Sequence, residues 1–563
     1  MARTVAIGVQ DFETLIERNC FYVDKTHFIK EWWDSEDAVT LITRPRRFGK
    51  TLTISMTERF FSVKYAGQGK LFEGLKIWES RKYRDLQGVY PVISLSFANI
   101  KEADYESVKQ KINEMLTELY EKNSFLKSSG LLGEKEVEYF NRVSKDMDDV
   151  TASLTLHRLS DYLSRYYGKK VILLLDEYDT PMQEAYVHGY WDRLVIYTRN
   201  LFNAAFKTNP YLERAIMTGI TRVSKESIFS DLNNLKVVTT TSGEYADVFG
   251  FTEPEVFSAM EEYGYTQKDE VRRWYDGFTF GGIRDIYNPW SILNFLDTGK
   301  FAAYWANTSS NNLVGKLIRG GSVEIKQTFE CLLNGKSICS EIDEQIAYNQ
   351  LDGNENAIWS LLLASGYLKV LSVDNVLLIS GWGEAQYELA LTNYEVSRMF
   401  ASMVRGWFSG CVKGSYNGFI KALLNDDRKL MNIYMNKVAL DTISYFDSGK
   451  RPSGSEPERF YHGFVLGLLV EMNDTYTVTS NRESGYGRYD IMLEPRRKED
   501  KAIIIEFKVY DADEEETLED TAASALKQIE DRQYAQMLIH KGVPEENIRK
   551  YGFAFQGKKV LIR

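Results

Sequence analysis

The chain has 563 residues, of which 44% are hydrophobic, 26% charged and 13% aromatic. This composition is that of a globular protein and excludes extensive disorder, and the length exceeds what a single hydrophobic core supports, so several domains are expected. The formal net charge of -11 argues against a protein that coats nucleic acid non-specifically, because such binding depends on clustered Lys and Arg that displace counterions.

Targeting segments and cysteine chemistry are not indicated. The opening segment MARTVAIGVQDFETLIERN lacks the apolar run of a signal peptide, and no later stretch reaches the roughly 18 uncharged apolar residues of a membrane span. The 4 cysteines and 5 histidines are scattered without the paired spacing of a disulfide framework or zinc knuckle. We therefore expect a cytoplasmic protein that has reduced cysteines and does not associate with a membrane.

The segment AVTLIT followed by RPRRFGKT predicts a buried strand, a phosphate-binding loop and a helix, in that order. Gly49, Lys50 and Thr51 end the loop. In such a loop, backbone N–H groups surround the phosphate oxygens, the lysine supplies positive charge and the threonine hydroxyl binds magnesium. The sequence therefore predicts a nucleotide site.

Three arginines distinguish this loop from the usual motif. Arg44 stands where the first glycine is expected, and Pro45 shapes the turn instead, because it fixes its own φ and favours an extended residue before it. Arg46 and Arg47 can add positive charge near the phosphates, or they can pair with acidic neighbours as exposed loop residues. We include both as candidate nucleotide-binding residues.

A second motif, VILLL followed by Asp176 and Glu177, supports the same interpretation. A continuous apolar run is typical of a strand buried on both faces of a parallel sheet, and the carboxyl ends of such strands bind ligands. We expect Asp176 to hold magnesium through water, and Glu177 to orient or deprotonate the attacking water. The two motifs together predict a P-loop NTPase domain with a parallel sheet over residues 1–250, which binds ATP and Mg²⁺.

A third predicted strand, RAIMTG, ends near the same sheet edge. Thr218 lies in this strand and Thr221 and Arg222 follow it, and all three are candidate sensors of the terminal phosphate. A buried threonine and a surface arginine are the alternative interpretation of Thr221 and Arg222.

Aromatic-rich helical segments predominate between residues 251 and 440, with a short hairpin near residues 367–387. Helices with one hairpin are compatible with a winged-helix lid beside the ATPase sheet. Aromatic residues in such numbers are more typical of a core than of a surface that stacks on nucleic-acid bases.

Two apolar runs joined by a charged turn predict a β-hairpin in the third region, residues 441–563. Glu506 and Lys508 lie two apart on the second strand and share a face, and Asp490 lies on the neighbouring strand. Two converging carboxylates repel each other unless a divalent cation joins them, which predicts a site for Mg²⁺ or Mn²⁺. The metal would polarise a phosphodiester, and Lys508 would position the water or stabilise developing charge. A solvated ion pair between Glu506 and Lys508 is the alternative.

Two further segments are predicted to complete this site. Glu458 begins a helix and is the candidate third carboxylate, either as a metal ligand or as a residue that orients one. Downstream, Gln528 and Tyr534 lie on a helical segment and resemble the glutamine and tyrosine with which some nucleases bind substrate.

Several motifs carry a family resemblance. They are YVDKT (22–26), RPRRFGKT (44–51), LLLDEYDTP (173–181), TGITRVSKESIFSDLNN (218–234), WYDGF (274–278) and YNPWS (287–291). Together they resemble the bacterial and archaeal predicted AAA-ATPase-like family, in which RPRR, a hydrophobic residue and GKT form the usual phosphate loop. The segment SNRESGYGRYD with Asp490, Glu506 and Lys508 is similar to the PD-(D/E)xK core that these ATPases commonly carry at the C-terminus. The resemblance covers nearly the whole chain and implies an ASCE-type, AAA-like ATPase domain and an α/β nuclease-like domain.

The predicted function is an ATP-hydrolysing protein that controls a metal-dependent endonuclease. The expected partner is nucleic acid, DNA rather than RNA, and the pairing suggests genome defence or mobile-element biology. The alternative is a nucleotide-switched nucleic-acid-binding or signalling protein whose nuclease fold is catalytically silent. Homo-oligomerisation is left open, because the sequence identifies no arginine finger.

Overall fold

The computed structural model describes residues 2–221, 229, 232–306, 312–343, 351, 357–375, 383–408, 415–446, 456–472, 475–484, 487–497, 499–511 and 515–563. The chain forms two compact units, Met1–Ser309 with Cys339–Val396, and Ser310–Ile338 with Ser397–Arg563. This division differs from the predicted boundaries at residues 250 and 440, because segments of the middle region contribute to both units. Within the described part of the chain, no helix combines the length and apolar character needed to cross a membrane.

The first unit is built on a parallel five-stranded sheet in the order β2-β3-β4-β1-β5. Its strands are β1 Val39–Thr43, β2 Val92–Ser96, β3 Val171–Asp176, β4 Leu212–Gly219 and β5 Leu235–Val238. The predicted parallel sheet is therefore confirmed. Strand β4 lies between β1, which leads into the phosphate loop, and β3, which ends in the acidic pair, so the carboxyl ends of all three strands meet at one edge.

Helices connect these strands and extend the first unit. In chain order they are α1 Phe12–Glu17, α2 His27–Asp34, α3 Lys50–Phe61, α4 Arg81–Arg84, α5 Tyr105–Lys122, α6 Phe125–Ser128, α7 Glu134–Arg142, α8 Asp149–Tyr167, α9 Thr180–His188, α10 Trp191–Phe206, α11 Glu253–Tyr263, α12 Lys268–Tyr275 and α13 Pro289–Thr298. Short 3-10 helices span Val63–Tyr65, Gly69–Phe72 and Lys76–Glu79.

Local sequence determines where the helix before β3 begins and ends. Asp148 accepts a hydrogen bond from the Thr151 N–H at the start of α8, and Gly168 ends the helix in the left-handed conformation that glycine adopts without strain. Helices α3 and α8 both pack against β3. The apolar run of β3 is consequently buried along its whole length, as its sequence predicts.

The middle region combines helices with two small sheets. Strands β6 Phe251–Thr252, β7 Phe278–Phe280 and β8 Ile283–Tyr287 form an antiparallel sheet in the order β6-β8-β7. The chain continues through α14 Asn312–Gly320, α15 Val323–Leu333, β9 Ile338–Glu341, α16 Ala357–Ala364, β10 Leu368–Asp374 and β11 Gln386–Leu391. Strands β10 and β11 form the predicted hairpin, and the sheet order is β10-β11-β9. This helix and hairpin order is compatible with the predicted winged helix.

The second unit contains a mixed five-stranded sheet in the order β12-β13-β14-β15-β16. Its strands are β12 Tyr476–Ser484, β13 Gly487–Pro495, β14 Ala502–Val509, β15 Ile548–Gln556 and β16 Lys559–Ile562. The last helices of the chain are α17 Tyr394–Phe408, α18 Ser415–Asn425, α19 Arg428–Phe446, α20 Glu456–Met472, α21 Leu518–Asp531 and α22 Gln536–His540, followed by a 3-10 helix at Glu545–Asn547. Strands β14 and β15 are parallel, and α21 lies in the crossover between them.

Two polar contacts explain how helices join the second sheet. Glu330 on α15 is buried and accepts hydrogen bonds from the N–H and hydroxyl of Ser480 on β12, which ties a middle-region helix to this sheet. Asn432 and Asn436, one turn apart on α19, each bond to both the N–H and the C=O of a residue on the edge strand β16. The asparagines satisfy main-chain groups that an open sheet edge would otherwise expose.

Candidate functional site

The phosphate loop lies between β1 and α3. Gly49 has φ 86°, a left-handed conformation that favours glycine, and it caps α3. Lys50 is buried, and its ammonium group donates to the carbonyls of Arg44 and Pro45 at 2.8 Å each. Burial lowers the pKa of Lys50, against the opposing effect of the Glu177 carboxylate. Main-chain carbonyls of the loop therefore bind the ammonium group of Lys50. Phosphate oxygens of a nucleotide would compete with these carbonyls for it.

Arg44, at the position of the missing glycine, points into the protein interior. Its side chain is fully buried and donates to the carbonyls of Thr43 and Glu244 at 3.0 and 3.3 Å. Its guanidinium group also lies over the rings of Phe280 and Phe249, at 4.6 and 5.7 Å from their centroids. The residue stabilises the start of the loop and does not line the cavity described below.

The predicted magnesium-binding residues of the first unit are in direct contact. The Thr51 hydroxyl donates to Asp176 Oδ2 at 2.7 Å, and the Thr218 hydroxyl donates to Oδ1 of the same carboxylate. Burial raises the pKa of Asp176, against the opposing effect of these two hydrogen bonds. One hydroxyl and one carboxylate at the mouth of the phosphate loop are hard oxygen donors of the kind that Mg²⁺ prefers.

Glu177 lies next to this pair in a strained backbone conformation, with φ 52°. Its N–H donates to the Thr218 hydroxyl at 3.3 Å, and its carboxylate accepts from the Thr180 hydroxyl at 3.3 Å. Its side chain lines the cavity. A carboxylate positioned in this way can accept a proton from a water in the cavity.

Asp179, to which the sequence analysis assigned no role, organises the chain after β4. Its buried carboxylate accepts hydrogen bonds from the N–H groups of Ile220 and Thr221 at 2.9 Å each and from the Thr221 hydroxyl at 3.1 Å. Thr221 is not among the residues lining the cavity. Arg222 lies outside the described residues, so contact of Thr221 and Arg222 with nucleotide stays a prediction.

A cavity of about 420 Å³ opens beside the phosphate loop. Its lining includes residues 46–51 and Glu177. It also includes the apolar side chains of Val9, Leu15, Phe21, Val23, Val248, Phe251 and Leu293. A lining that combines charged and apolar side chains suits a ligand that joins a polyphosphate to an aromatic base.

The charges lining this cavity are opposite in sign to that of the whole protein. The described lining residues include five cations and one carboxylate, Glu177; the cations are Lys25, Arg46, Arg47, Lys50 and Lys101. Clustered cations in a concave site attract a polyanion even on an acidic protein.

The two remaining loop arginines, Arg46 and Arg47, contact neutral side chains in this structure. Arg46 donates to the Gln183 side chain at 3.0 Å, and the Arg47 guanidinium lies 4.2 Å from the Trp290 ring centroid. Within the described part of the chain, neither arginine has a carboxylate at salt-bridge distance. Both line the cavity, which favours their role as phosphate-binding cations.

Two residues of the middle region donate hydrogen bonds to the main chain of the phosphate loop. The Trp305 indole N–H donates to the Arg46 carbonyl at 3.0 Å, and the Asn288 side chain donates to the same carbonyl at 3.4 Å. The Trp305 N–H in turn donates to the buried carboxylate of Glu395 at 2.6 Å. Burial raises the pKa of Glu395 to about 7. These contacts join the phosphate loop to residues more than 200 positions away in the sequence.

The second candidate site lies on the hairpin of β13 and β14. The pairing of Ile491 with Ile505 places Asp490 opposite Glu506 on the adjacent strand. The Asp490 N–H donates to Glu506 Oε2 at 3.3 Å, and the Phe507 N–H donates to Asp490 Oδ2 at 2.7 Å. The two residues are thus neighbours across the hairpin, and the joint binding of a cation by their carboxylates stays a prediction.

Glu506 is 3% exposed. Burial raises the pKa of its carboxyl, and the neighbouring charge of Asp490 raises it further. A buried carboxyl that is difficult to ionise beside a second carboxylate is the environment that a divalent cation would stabilise. The oxygen donors of Asp490 and Glu506 fit Mg²⁺ or Mn²⁺.

Lys508 does not form the solvated ion pair with Glu506 that the sequence left open. Its ammonium group donates to the hydroxyl of Ser524 on α21 at 2.9 Å, and within the described residues no carboxylate lies at salt-bridge distance from it. Gln528, also on α21, donates to Glu506 Oε1 and to the Tyr534 hydroxyl, the latter at 3.3 Å. The crossover helix therefore supplies side chains to both predicted catalytic residues of β14.

Glu458 lies in α20, but its side chain is outside the described part of the structure. Its role as a third carboxylate stays a prediction. Among the other contacts of these sites, Ser524 and Trp305 were not identified from the sequence, since neither belongs to a local motif. Lys25 lies in the motif YVDKT and Trp290 in the motif YNPWS. These motifs are the sequence features that could have indicated that both residues line the cavity.

The first unit is therefore a P-loop nucleotide-binding fold, and the second contains a nuclease-like sheet with paired carboxylates. Residues 6–229 match the family described as Predicted AAA-ATPase, and residues 456–563 match the PD-(D/E)XK nuclease superfamily. The chain thus combines an AAA-ATPase-like domain with a C-terminal PD-(D/E)XK domain, as its motifs predicted. It is 24% identical over 559 residues to an Azotobacter chroococcum mcd 1 protein described as "Uncharacterized protein in vnfD 5'region". The match covers 96% of this chain and 95% of that protein.

Proposed function

We propose that the protein binds and hydrolyses ATP in its first unit and that the nucleotide controls metal-dependent cleavage of nucleic acid by its second unit. The observation that carries the first half is the contact between Thr51 and Asp176 next to Glu177, beside a cavity whose lining combines cations with apolar side chains. The second half rests on the pairing of Asp490 with Glu506 and on the superfamily match.

In the ATPase reaction, Thr51 and Asp176 would hold magnesium, which neutralises phosphate charge when bound. Lys50 exchanges its main-chain carbonyl partners for phosphate oxygens, and Arg46 and Arg47 add positive charge from the loop. Glu177 orients a water and accepts its proton as the water attacks the terminal phosphate. The apolar side chains of the cavity lining enclose the nucleoside and exclude water from it.

In the nuclease reaction, Asp490 and Glu506 would hold Mg²⁺ or Mn²⁺, with Glu458 as a further ligand or an orienting residue. A divalent cation held there would supply the polarisation of the scissile phosphate and the activation of a water. Lys508, held by Ser524, directs its ammonium group toward the attacking water or the developing negative charge. Gln528 keeps the Glu506 carboxylate oriented.

Control of the nuclease by nucleotide is proposed to pass through Trp305. This residue bonds to the carbonyl of Arg46 in the phosphate loop, and the first of the two segments that form the first unit ends shortly after it along the chain, at Ser309. Phosphates that draw Arg46 toward the cavity would displace this carbonyl and shift Trp305. The change would then reach the segment that leads into the second unit.

Nucleic acid, with DNA favoured over RNA, is the proposed partner of the second unit. The excess of acidic residues lies in the first unit, whereas basic and acidic residues are nearly balanced in the second. The overall acidity is therefore compatible with a local contact to phosphates. We also propose that the protein acts in genome defence or mobile-element biology. We propose further that it assembles into a homo-oligomer.

A cleavage assay on plasmid, single-stranded DNA and RNA, with Mg²⁺ or Mn²⁺ and with or without ATP, tests this proposal. Glu506→Gln should abolish cleavage. The matched control Glu494→Gln removes a carboxylate from the same hairpin, where it pairs with Lys541 at the surface, and should leave cleavage intact. A wild-type chain that binds these nucleic acids under all conditions but cleaves none would replace the nuclease proposal with that of a nucleotide-switched binding protein.

A further inference from the structure

The loop after β2 is fixed beside the acidic end of β3. Ser96 pairs with Asp176 across the two strands, and the following N–H, that of Phe97, donates to the Asp176 carbonyl at 2.9 Å. The Ile100 N–H then donates to the Phe97 carbonyl at 3.0 Å, which turns the chain. Residues 98, 99 and 101 of this loop line the same cavity as Lys50 and Glu177.

Lys101 is exposed at this edge of the cavity, whereas the next residue is firmly held. The Glu102 carbonyl accepts a hydrogen bond from the Tyr190 hydroxyl at 2.6 Å, and its carboxylate pairs with Lys111. The backbone is thus anchored on both sides of Lys101. Among the residues that the structure describes, no carboxylate lies within salt-bridge distance of the Lys101 ammonium group.

The other cations that line the cavity either belong to the phosphate loop or pair with a carboxylate. Lys50 and the two loop arginines belong to the phosphate loop, and Lys25 pairs with Glu255 at 2.7 Å. Lys101 lies in the loop that follows β2, and this strand neighbours β3 and not β1 in the sheet. It therefore approaches the cavity from the side of Glu177.

Phosphoryl transfer to water needs positive charge on that side. As the water oxygen bonds to the terminal phosphorus, the bond to the bridging oxygen breaks, the electron pair leaves with ADP and the water proton passes to a base. Negative charge is then spread over the equatorial phosphate oxygens and the leaving oxygen, where many such enzymes place an additional cation. The sequence shows no arginine finger, so the source of this cation in the present chain is open.

We propose that Lys101 is a catalytic residue of ATP hydrolysis that acts within its own chain. Its ammonium group contacts the terminal phosphate from the side opposite Lys50 and neutralises the charge that develops during transfer, while Glu177 takes the proton. This assignment rests on the proposed ATPase function, because it identifies a further residue of that same site.

The test compares Lys101→Ala and Lys101→Arg with Lys70→Ala, which removes an equal charge from an exposed lysine outside the cavity lining. In Lys101→Ala, kcat for ATP should fall about 100-fold or more, because one group that stabilises developing charge is lost. The dissociation constant for ATP, measured calorimetrically, should change less than about threefold, since the interaction belongs to the transition state. Binding of ADP with aluminium fluoride, which mimics that state, should weaken with kcat, and Lys101→Arg should retain part of both.

Four outcomes bear on this proposal and on the function on which it rests. Wild-type turnover in Lys101→Ala overturns the role of Lys101 and leaves the ATPase proposal standing. A parallel loss of kcat and ATP affinity makes Lys101 a simple binding residue and also overturns it. A wild-type chain that binds no ATP overturns both proposals. Recovery of turnover on mixing Lys101→Ala with Lys50→Ala chains would show that the lysine acts on a neighbouring subunit, against action within one chain.

Discussion

Replacing Glu506 by glutamine is expected to stabilise the metal-free protein near neutral pH and to remove its stabilisation by magnesium. Glu506 is 3% exposed and lies opposite Asp490 on the adjacent strand. Burial and this neighbouring charge raise the pKa of Glu506, so the folded protein retains a proton that the unfolded chain releases. A neutral amide of the same shape avoids the cost of ionisation. Gln528 can rotate its own amide to accept a hydrogen bond from it.

The sign and size of the effect follow from proton linkage. Below the unfolded pKa of 4.5 the carboxyl is protonated in both states, and it contributes no pH dependence. Above that value the unfolded chain ionises first, so the folded state loses up to about 1.4 kcal/mol per pH unit until its own carboxyl ionises. At about 2–4 °C per kcal/mol, wild-type melting should fall relative to the variant by up to about 5 °C per pH unit.

Differential scanning calorimetry in EDTA, between about pH 5 and pH 8, measures this difference. The melting temperature of the second unit should fall with pH in the wild type and in the control Glu494→Gln, and it should fall less in Glu506→Gln. Magnesium should raise the melting temperature of the wild type and the control but not that of Glu506→Gln.

A Glu506→Gln protein that melts below the wild type at every pH in EDTA would refute this reasoning. That result would mean that the ionised carboxylate stabilises the metal-free fold, as one partner of a structural ion pair does.

Three further predictions concern the first unit. Lys50→Ala should abolish ATP binding in calorimetry at saturating magnesium, whereas Lys70→Ala should not; unchanged affinity would contradict the phosphate-loop assignment. Glu177→Gln should bind ATP with wild-type affinity but lose turnover in a phosphate-release assay, and loss of both would indicate a structural role. Trp305→Phe removes the indole N–H donated to the Arg46 carbonyl, a bond worth about 1 kcal/mol, so the effect of ATP on cleavage should decrease. Full ATP control of cleavage in Trp305→Phe would exclude this route.

Much of both sites could be predicted because their residues are close in sequence. Gly49, Lys50 and Thr51 are consecutive between a strand and a helix, and the strand is recognisable from its apolar run. Glu506 and Lys508 are separated by one residue, and strand geometry alone places them on one face. Local periodicity and motif spacing carry this information without any knowledge of the tertiary fold.

Other features depend on contacts between distant residues. From the sequence, Arg44 is only a departure from the motif. Its side chain is buried because it bonds to the carbonyls of Thr239 and Glu244 and lies over the Phe280 ring. Helix α15 joins the second unit through Glu330 and Ser480, which are 150 positions apart. The predicted boundaries followed changes in composition, and composition does not report such contacts.

By itself, the sequence determined the class of each fold, the phosphate loop, the acidic end of β3 and the carboxylate pair of the hairpin, because each is encoded by short-range spacing. Only the tertiary structure decided which cations line the cavity, that Asp179 holds the chain after β4, that Ser524 holds Lys508 and that Trp305 holds the phosphate loop. These contacts arise from the order of strands in the sheets and from crossover helices. Strand order is set by the packing of the whole chain, which no local pattern specifies.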